Sequence, residues 1–155
     1  MSFLSKVYAK HQAVSKKLLT EKDAVLSHSS LAKSDLEDAF NVVLFAVGLD
    51  ENGDPNPEFL DEVIRTWNAA VKKGKVATVP MSETKKYSYY DHGRRVKKNQ
   101  IDNPIIVAKV GASMVVLDGN HRLLTRKDQN KKDIQVFVIS LPYDAITNME
   151  GSVGE

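Results

Sequence analysis

PIIVAKVGASMVVLDGNHRL, residues 104 to 123, decides the fold of this 155-residue chain. Two apolar runs, Ile105-Ile106-Val107-Ala108 and Met114-Val115-Val116-Leu117, each have the length of a buried strand, and Gly111-Ala112 separates them closely enough for a hairpin. Asp118-Gly119 then ends the second run, and Asn120-His121-Arg122 opens a helical stretch carrying Leu123 and Leu124. A helix start presents unpaired backbone amides and a partial positive charge, and a glycine before it lets an anion approach the backbone. A phosphate-binding corner is therefore expected at Gly119, Asn120, His121 and Arg122. In it Arg122 would grip phosphate oxygens and His121 would donate a hydrogen bond or move a proton. Asp118, at the end of its strand, is suited to holding magnesium, to accepting a proton from a hydroxyl, or to anchoring the turn. Taken alone, an Asp-Gly turn followed by an exposed His-Arg pair, with Asp118 only capping the helix, is more often ordinary surface structure than a site.

Outward from this stretch, Val76-Ala77-Thr78-Val79-Pro80 and Ile134-Gln135-Val136-Phe137-Val138-Ile139 read as two further strands. The expected order is strand, connecting helix, hairpin, helix, strand, over residues 75 to 142. Residues 1 to 74 read as three helices. Leu4, Val7, His11, Val14 and Leu18 form an apolar line over residues 2 to 19. Ser34 with Glu37 predicts a capping box for a second helix burying Leu36, Phe40, Val43, Leu44 and Val47 before Gly48. After the loop 50 to 57, Asn56-Pro57 starts a third helix, with Leu60, Val63, Ile64, Trp67 and Val71 on one side and an end near Gly74. The loop lacks the ligand order of an EF-hand. The segment 143 to 155 has no apolar periodicity and reads as a tail. The fold class expected is α+β: a small mixed sheet with helices, preceded by a three-helix extension.

The chain contains no cysteine, which excludes a disulfide framework, a thiolate metal site and a cysteine nucleophile, and makes the cytoplasm the simplest location. No continuous apolar stretch marks a leader or a membrane span. Net charge is +2, unevenly spread: residues 1 to 74 hold 9 Lys and Arg against 11 Asp and Glu, residues 75 to 155 hold 13 against 9. The basic second half suits an anionic partner or is a solvated basic face. Lys85, Lys86, Arg94, Arg95, Lys97 and Lys98, interleaved with Tyr87, Tyr89 and Tyr90, are the candidate nucleic-acid contacts. The alternative is a tyrosine-rich connection packed on the sheet with its lysines in water.

The succession of Pro104-Ile105-Ile106-Val107, a glycine turn, Val115-Val116-Leu117-Asp118-Gly119-Asn120-His121-Arg122-Leu123 and Ile134-Gln135-Val136-Phe137-Val138 resembles the ParB/sulfiredoxin superfamily. That family has a proline-led strand, a strand ending in a D-G-x-H-R-L type motif, a helix and a closing strand in this order. Val79-Pro80-Met81-Ser82-Glu83-Thr84-Lys85 is similar to its opening segment, so the likeness covers residues 76 to 140. The resemblance implies a nucleotide or phosphate pocket at the motif, with magnesium and a nucleoside triphosphate as cofactors. The activities it implies range from nucleotide hydrolase or phosphotransferase to DNA-binding protein and ParB-like nuclease. Sulfiredoxins place their catalytic cysteine where Asn120 stands, which excludes that reaction here. Chromosome-partition members carry a helix-turn-helix domain after the module, whereas here a short tail follows Leu141. Kinase-like members use an acidic base after the opening strand; Lys85 to His92 has no glutamate, leaving Asp91 or Glu83 as the substitutes.

Three functions follow as expectations. The first is an enzyme with Asp118 and His121 as catalytic residues. The second is a binding module for a nucleotide or DNA. The third is a phage-type accessory or inhibitory protein that occupies a host protein through its helical half. A nuclease with a metal ion on Asp118 is a further alternative.

Overall fold

A computed structural model describes residues 25, 27–47, 57–89 and 102–143. The expected helix over 2–19, the loop 50–56, the basic residues Arg94, Arg95, Lys97 and Lys98, the residues Tyr90, Asp91 and His92, and the tail from 144 lie outside the described residues. Of the three expected N-terminal helices two are described, α1 (Lys33–Val47) and α2 (Pro57–Lys73). They are followed by β1 (Lys75–Pro80), a 3-10 helix (Met81–Lys86), β2 (Tyr87–Tyr89), β3 (Ile105–Val110), β4 (Ser113–Asp118), α3 (Asn120–Asp128) and β5 (Asp133–Ser140).

The strands form one mixed five-stranded sheet in the order β1-β5-β3-β4-β2, so the fold is α+β as its sequence pattern predicts. β3 and β4 are the antiparallel hairpin, and β1 runs antiparallel to β5. The pairs β3–β5 and β4–β2 are parallel. β3 lies in the centre, and five of its six side chains are buried. This explains why its sequence is a continuous apolar run rather than an alternation: both faces of the sheet are covered.

Period-two geometry sorts the side chains into two cores. Ile106, Ala108, Val110, Val115, Leu117, Phe137 and Ile139 face the layer made by α1 and α2. Ile105, Val107, Val116, Ile134 and Val136 face the opposite way and pack with Leu123 of α3. The stripe Leu60, Val63, Ile64, Trp67 and Val71 of α2 is buried in the first core, with Leu36, Phe40, Val43 and Leu44 of α1. The Phe40 and Trp67 rings join the two helices at 5.2 Å. Gly74 closes α2 where the chain must pass close to the sheet, since a Cβ there would stand 2.4 Å from the Phe137 ring.

Two local expectations are revised. The carbonyl of Ala32 accepts the first helical bond from Leu36 N at 3.3 Å, so α1 starts at Lys33 and Ser34 lies inside the first turn, not at the cap. Lys33 instead meets Glu37 at 3.9 Å on the exposed side. The connection after β1 is a 3-10 turn followed by an edge strand. Tyr87, Ser88 and Tyr89 pair in register with Met114, Val115 and Val116. Tyr87 packs, half-buried, against the second core, and burial pushes its hydroxyl above the ordinary range.

Candidate functional site

The hairpin delivers the chain to α3 through a single left-handed residue, Gly119. Gly119 has φ 102° and ψ 18°, the left-handed region, and its carbonyl accepts from Leu123 N at 2.9 Å. A side chain here would also meet Ile105, whose Cγ2 would be 2.6 Å from the new Cβ. Glycine is thus required by backbone angle and by space together. No side chain caps this helix start, so the first amides of α3 have no capping acceptor from the cap residue. Asn120 is buried at 7% exposure, and its Nδ2 has no hydrogen-bond partner among the described residues. A buried amide donor without an acceptor carries a desolvation cost of about 1–3 kcal/mol. His121 is half-buried beside it, and its carbonyl accepts from Thr125 Oγ1 at 2.7 Å. The structure therefore brings Gly119, Asn120 and His121 together at the opening of α3.

Arg122 is directed elsewhere. It is 4% exposed, and its guanidinium is bonded on several sides inside the protein. Nη1 donates to Asp35 Oδ2 at 3.1 Å and to the Pro104 carbonyl at 3.0 Å, and Nη2 donates to Asp118 Oδ2 at 2.5 Å. One side chain thus ties the first turn of α1, the entry to β3 and the end of β4 to α3. The planar fork of arginine suits several acceptors in different directions, which a lysine ammonium could not all reach. Neither Asp35 nor the Pro104 carbonyl announces itself in sequence. Asp35 reads as an acid complementing the start of α1, and its partner lies 87 residues away.

Asp118 is 8% exposed, and burial pushes its carboxyl up to about 8; Arg122 opposes the shift, and Asp35 and Asp38 add to it. The physical reason is that taking the carboxylate out of water costs more than the guanidinium beside it returns, and the two neighbouring acids add to that cost. Unfolded, Asp118 loses its proton near the ordinary 3.8, whereas folded it keeps it to about 8. The native state then binds the extra proton between those values, so this group's contribution to stability is full below about 4 and is lost as pH rises towards 8. Asp118→Asn keeps an oxygen acceptor for Arg122 and cannot ionise. The melting temperature of this variant is expected to gain on the parent steadily between pH 5 and pH 8; parallel melting curves across that range would exclude the assignment.

Among the described residues no group of three or more His, Asp or Glu side chains is arranged to hold a metal ion, and Asp118 meets Arg122 at the position where a metal ligand is expected from the sequence. Of the basic residues expected to meet nucleic acid, two are described. Lys86 is ion-paired with Glu83 at 3.1 Å, whereas Lys85 is exposed. Arg126 anchors the far end of α3 through the Asp133 carbonyl, at 3.0 Å from Nε and 2.7 Å from Nη2, and through Asp102 at 3.0 Å. In comparisons with known proteins, no family model, no curated protein and no solved structure matches the chain.

Proposed function

We propose that the chain binds a phosphate-bearing ligand, a nucleoside triphosphate foremost, at the start of α3. One observation carries this reading: an uncapped helix start entered through a left-handed glycine, with the buried Asn120 amide beside it lacking an acceptor. A phosphate oxygen would satisfy both, taking the Asn120 donor and the amides that the helix dipole favours for an anion. The likeness of residues 76 to 140 to the ParB/sulfiredoxin superfamily implies the same class of ligand at the same motif. His121 stands next to the anion in this reading and adds a donor. Arg122 acts from behind, holding the corner in place through Asp35 and Asp118, so the arginine is a positioning residue and not a phosphate contact.

The test is isothermal titration with ATP, CTP, GTP and ADP in magnesium, on the parent protein and on Asn120→Asp. The substitution is close to isosteric and suits a helix start, yet sets a carboxylate against any incoming phosphate. Saturable binding of at least one nucleotide that is weakened tenfold or more, about 1.4 kcal/mol, in Asn120→Asp is the expected result. Binding that is unchanged in the variant, or absent for all four, would remove the proposal. Arg122→Ala would not serve as this control, because its buried partners would be disturbed whether or not a ligand binds.

A further inference from the structure

At the opposite end of α3 from Gly119, the 3-10 helix and the turn leading into β5 enclose an open groove of about 520 Å³ lined by Met81, Ser82, Lys85, Lys127, Asn130 and Lys131. Its walls are held by the backbone. Met81 N donates to the Lys132 carbonyl at 2.9 Å, joining the two segments, and Thr84, itself buried, donates its hydroxyl to the Met81 carbonyl at 2.7 Å. Across the groove the turn is fixed by Gln129 N to Thr125 O, Asn130 N to Lys127 O and Lys131 N to Arg126 O, each at 3.0 Å. Asn130 takes the left-handed conformation, φ 55°, that lets the chain reverse here.

The charge in the groove is of one sign. Three of the six lining residues are lysines, none is acidic, and none of the three lysine side chains is ion-paired among the described residues. Two carboxylates close to the groove are engaged elsewhere, Glu83 with Lys86 at 3.1 Å and Asp133 with Arg126 at 3.6 Å, and Asp128 on the last turn of α3 is not among the groove's lining residues. Lysines at a helix C-terminus complement its dipole, which accounts for Lys127, but not for Lys85, which comes from another element and faces the same space. Like charges gathered without a counter-ion attract a polyanion.

We propose that this groove seats the sugar-phosphate backbone of a single strand of nucleic acid, separately from the nucleotide corner. An open groove admits a chain that enters and leaves, rather than a ligand that must be enclosed. Three lysines can meet successive phosphates, Ser82 and Asn130 supply neutral hydrogen-bonding groups, and the Met81 side chain gives an unpaired base an apolar surface.

Fluorescence anisotropy of a labelled 20-nucleotide oligo-dT, measured over a range of salt concentrations, tests the proposal on the full chain. The variants are Lys85→Glu/Lys127→Glu/Lys131→Glu and, as a control on the other side of the sheet, Lys72→Glu/Lys73→Glu; circular dichroism reports whether each stays folded. The parent is expected to bind with steep salt dependence, and the triple variant to lose about 2 from the slope of log K against log salt, since each phosphate contact to a single strand contributes about 0.7. The control should follow the parent. Equal slopes in parent and triple variant, equal loss in the control, equal binding of a duplex of the same length, or displacement of the strand by an equal phosphate concentration of inorganic triphosphate would each overturn it. Nucleotide titration of the same triple variant is a separate readout: failure of the nucleotide corner leaves the groove result standing, and the reverse holds too.

Discussion

Arg122→Ala is expected to destabilise the protein by about 3–5 kcal/mol, the range for removing one partner of a buried ion pair. The substitution deletes the donors that serve Asp35 Oδ2, Asp118 Oδ2 and the Pro104 carbonyl, and leaves two carboxyl groups facing each other away from water. Arg122→Lys should recover part of the loss, since an ammonium restores charge without reaching every acceptor. Urea denaturation followed by circular dichroism measures both. A loss below about 1 kcal/mol for the alanine variant, the range of an exposed pair, would mean that the network is not formed in solution. The effect also reaches the start of α3, because this guanidinium ties α1 to it through Asp35.

Trp67→Ala should cost a similar amount, about 3–5 kcal/mol, for a different reason: it opens a cavity at the centre of the helical layer. Trp67 is fully buried, packs against Phe40 and donates Nε1 to the Val25 carbonyl at 2.8 Å. Beside it Asn68 Oδ1 accepts from Val25 N at 2.7 Å, so α2 fastens the chain ahead of α1 by both backbone groups of one residue. Trp67→Phe keeps most of the apolar volume and loses the indole donor, and about 1–3 kcal/mol is expected from the unsatisfied carbonyl. Comparison of the two variants by thermal and urea unfolding separates packing from hydrogen bonding. Equal losses would show that the indole N–H carries the effect and the cavity does not.

Much of the architecture is written locally. The strands of the hairpin and β5 are apolar runs bounded by glycine or charge, and the α2 stripe keeps helical spacing from Leu60 to Val71, so each element follows from a few neighbouring residues. The start of α3 is equally local: an Asp-Gly turn before Asn120 needs no distant information. Edge strand β2 is different. Three residues are too short for a period to register, and they become a strand only because β4 offers its edge.

The direction of Arg122 is set at long range. A charged residue in the first turn of a helix, next to a glycine, reads as pointing at a ligand, and its spacing of four from Asp118 permits an ion pair of no great weight. What turns it inward is Asp35, on a helix whose place over the sheet is set by packing. Such a partner is visible only once the layers are assembled. The basic groove has the same origin. Lys127 and Lys131 stand in a visibly basic stretch, but their meeting with Lys85 depends on the bond between Met81 and Lys132, which joins segments 51 residues apart.

Nitrogen-15 NMR titration of the protein with ATP and magnesium reads directly which groups at the start of α3 face a ligand. The backbone amides of Gly119, Asn120 and His121 and the side-chain amide of Asn120 are expected to shift together and saturate, while the Arg122 Nε–H resonance stays where it is. Saturable shifts confined to other parts of the chain, or a large movement of the Arg122 Nε–H with the three amides unmoved, would contradict it.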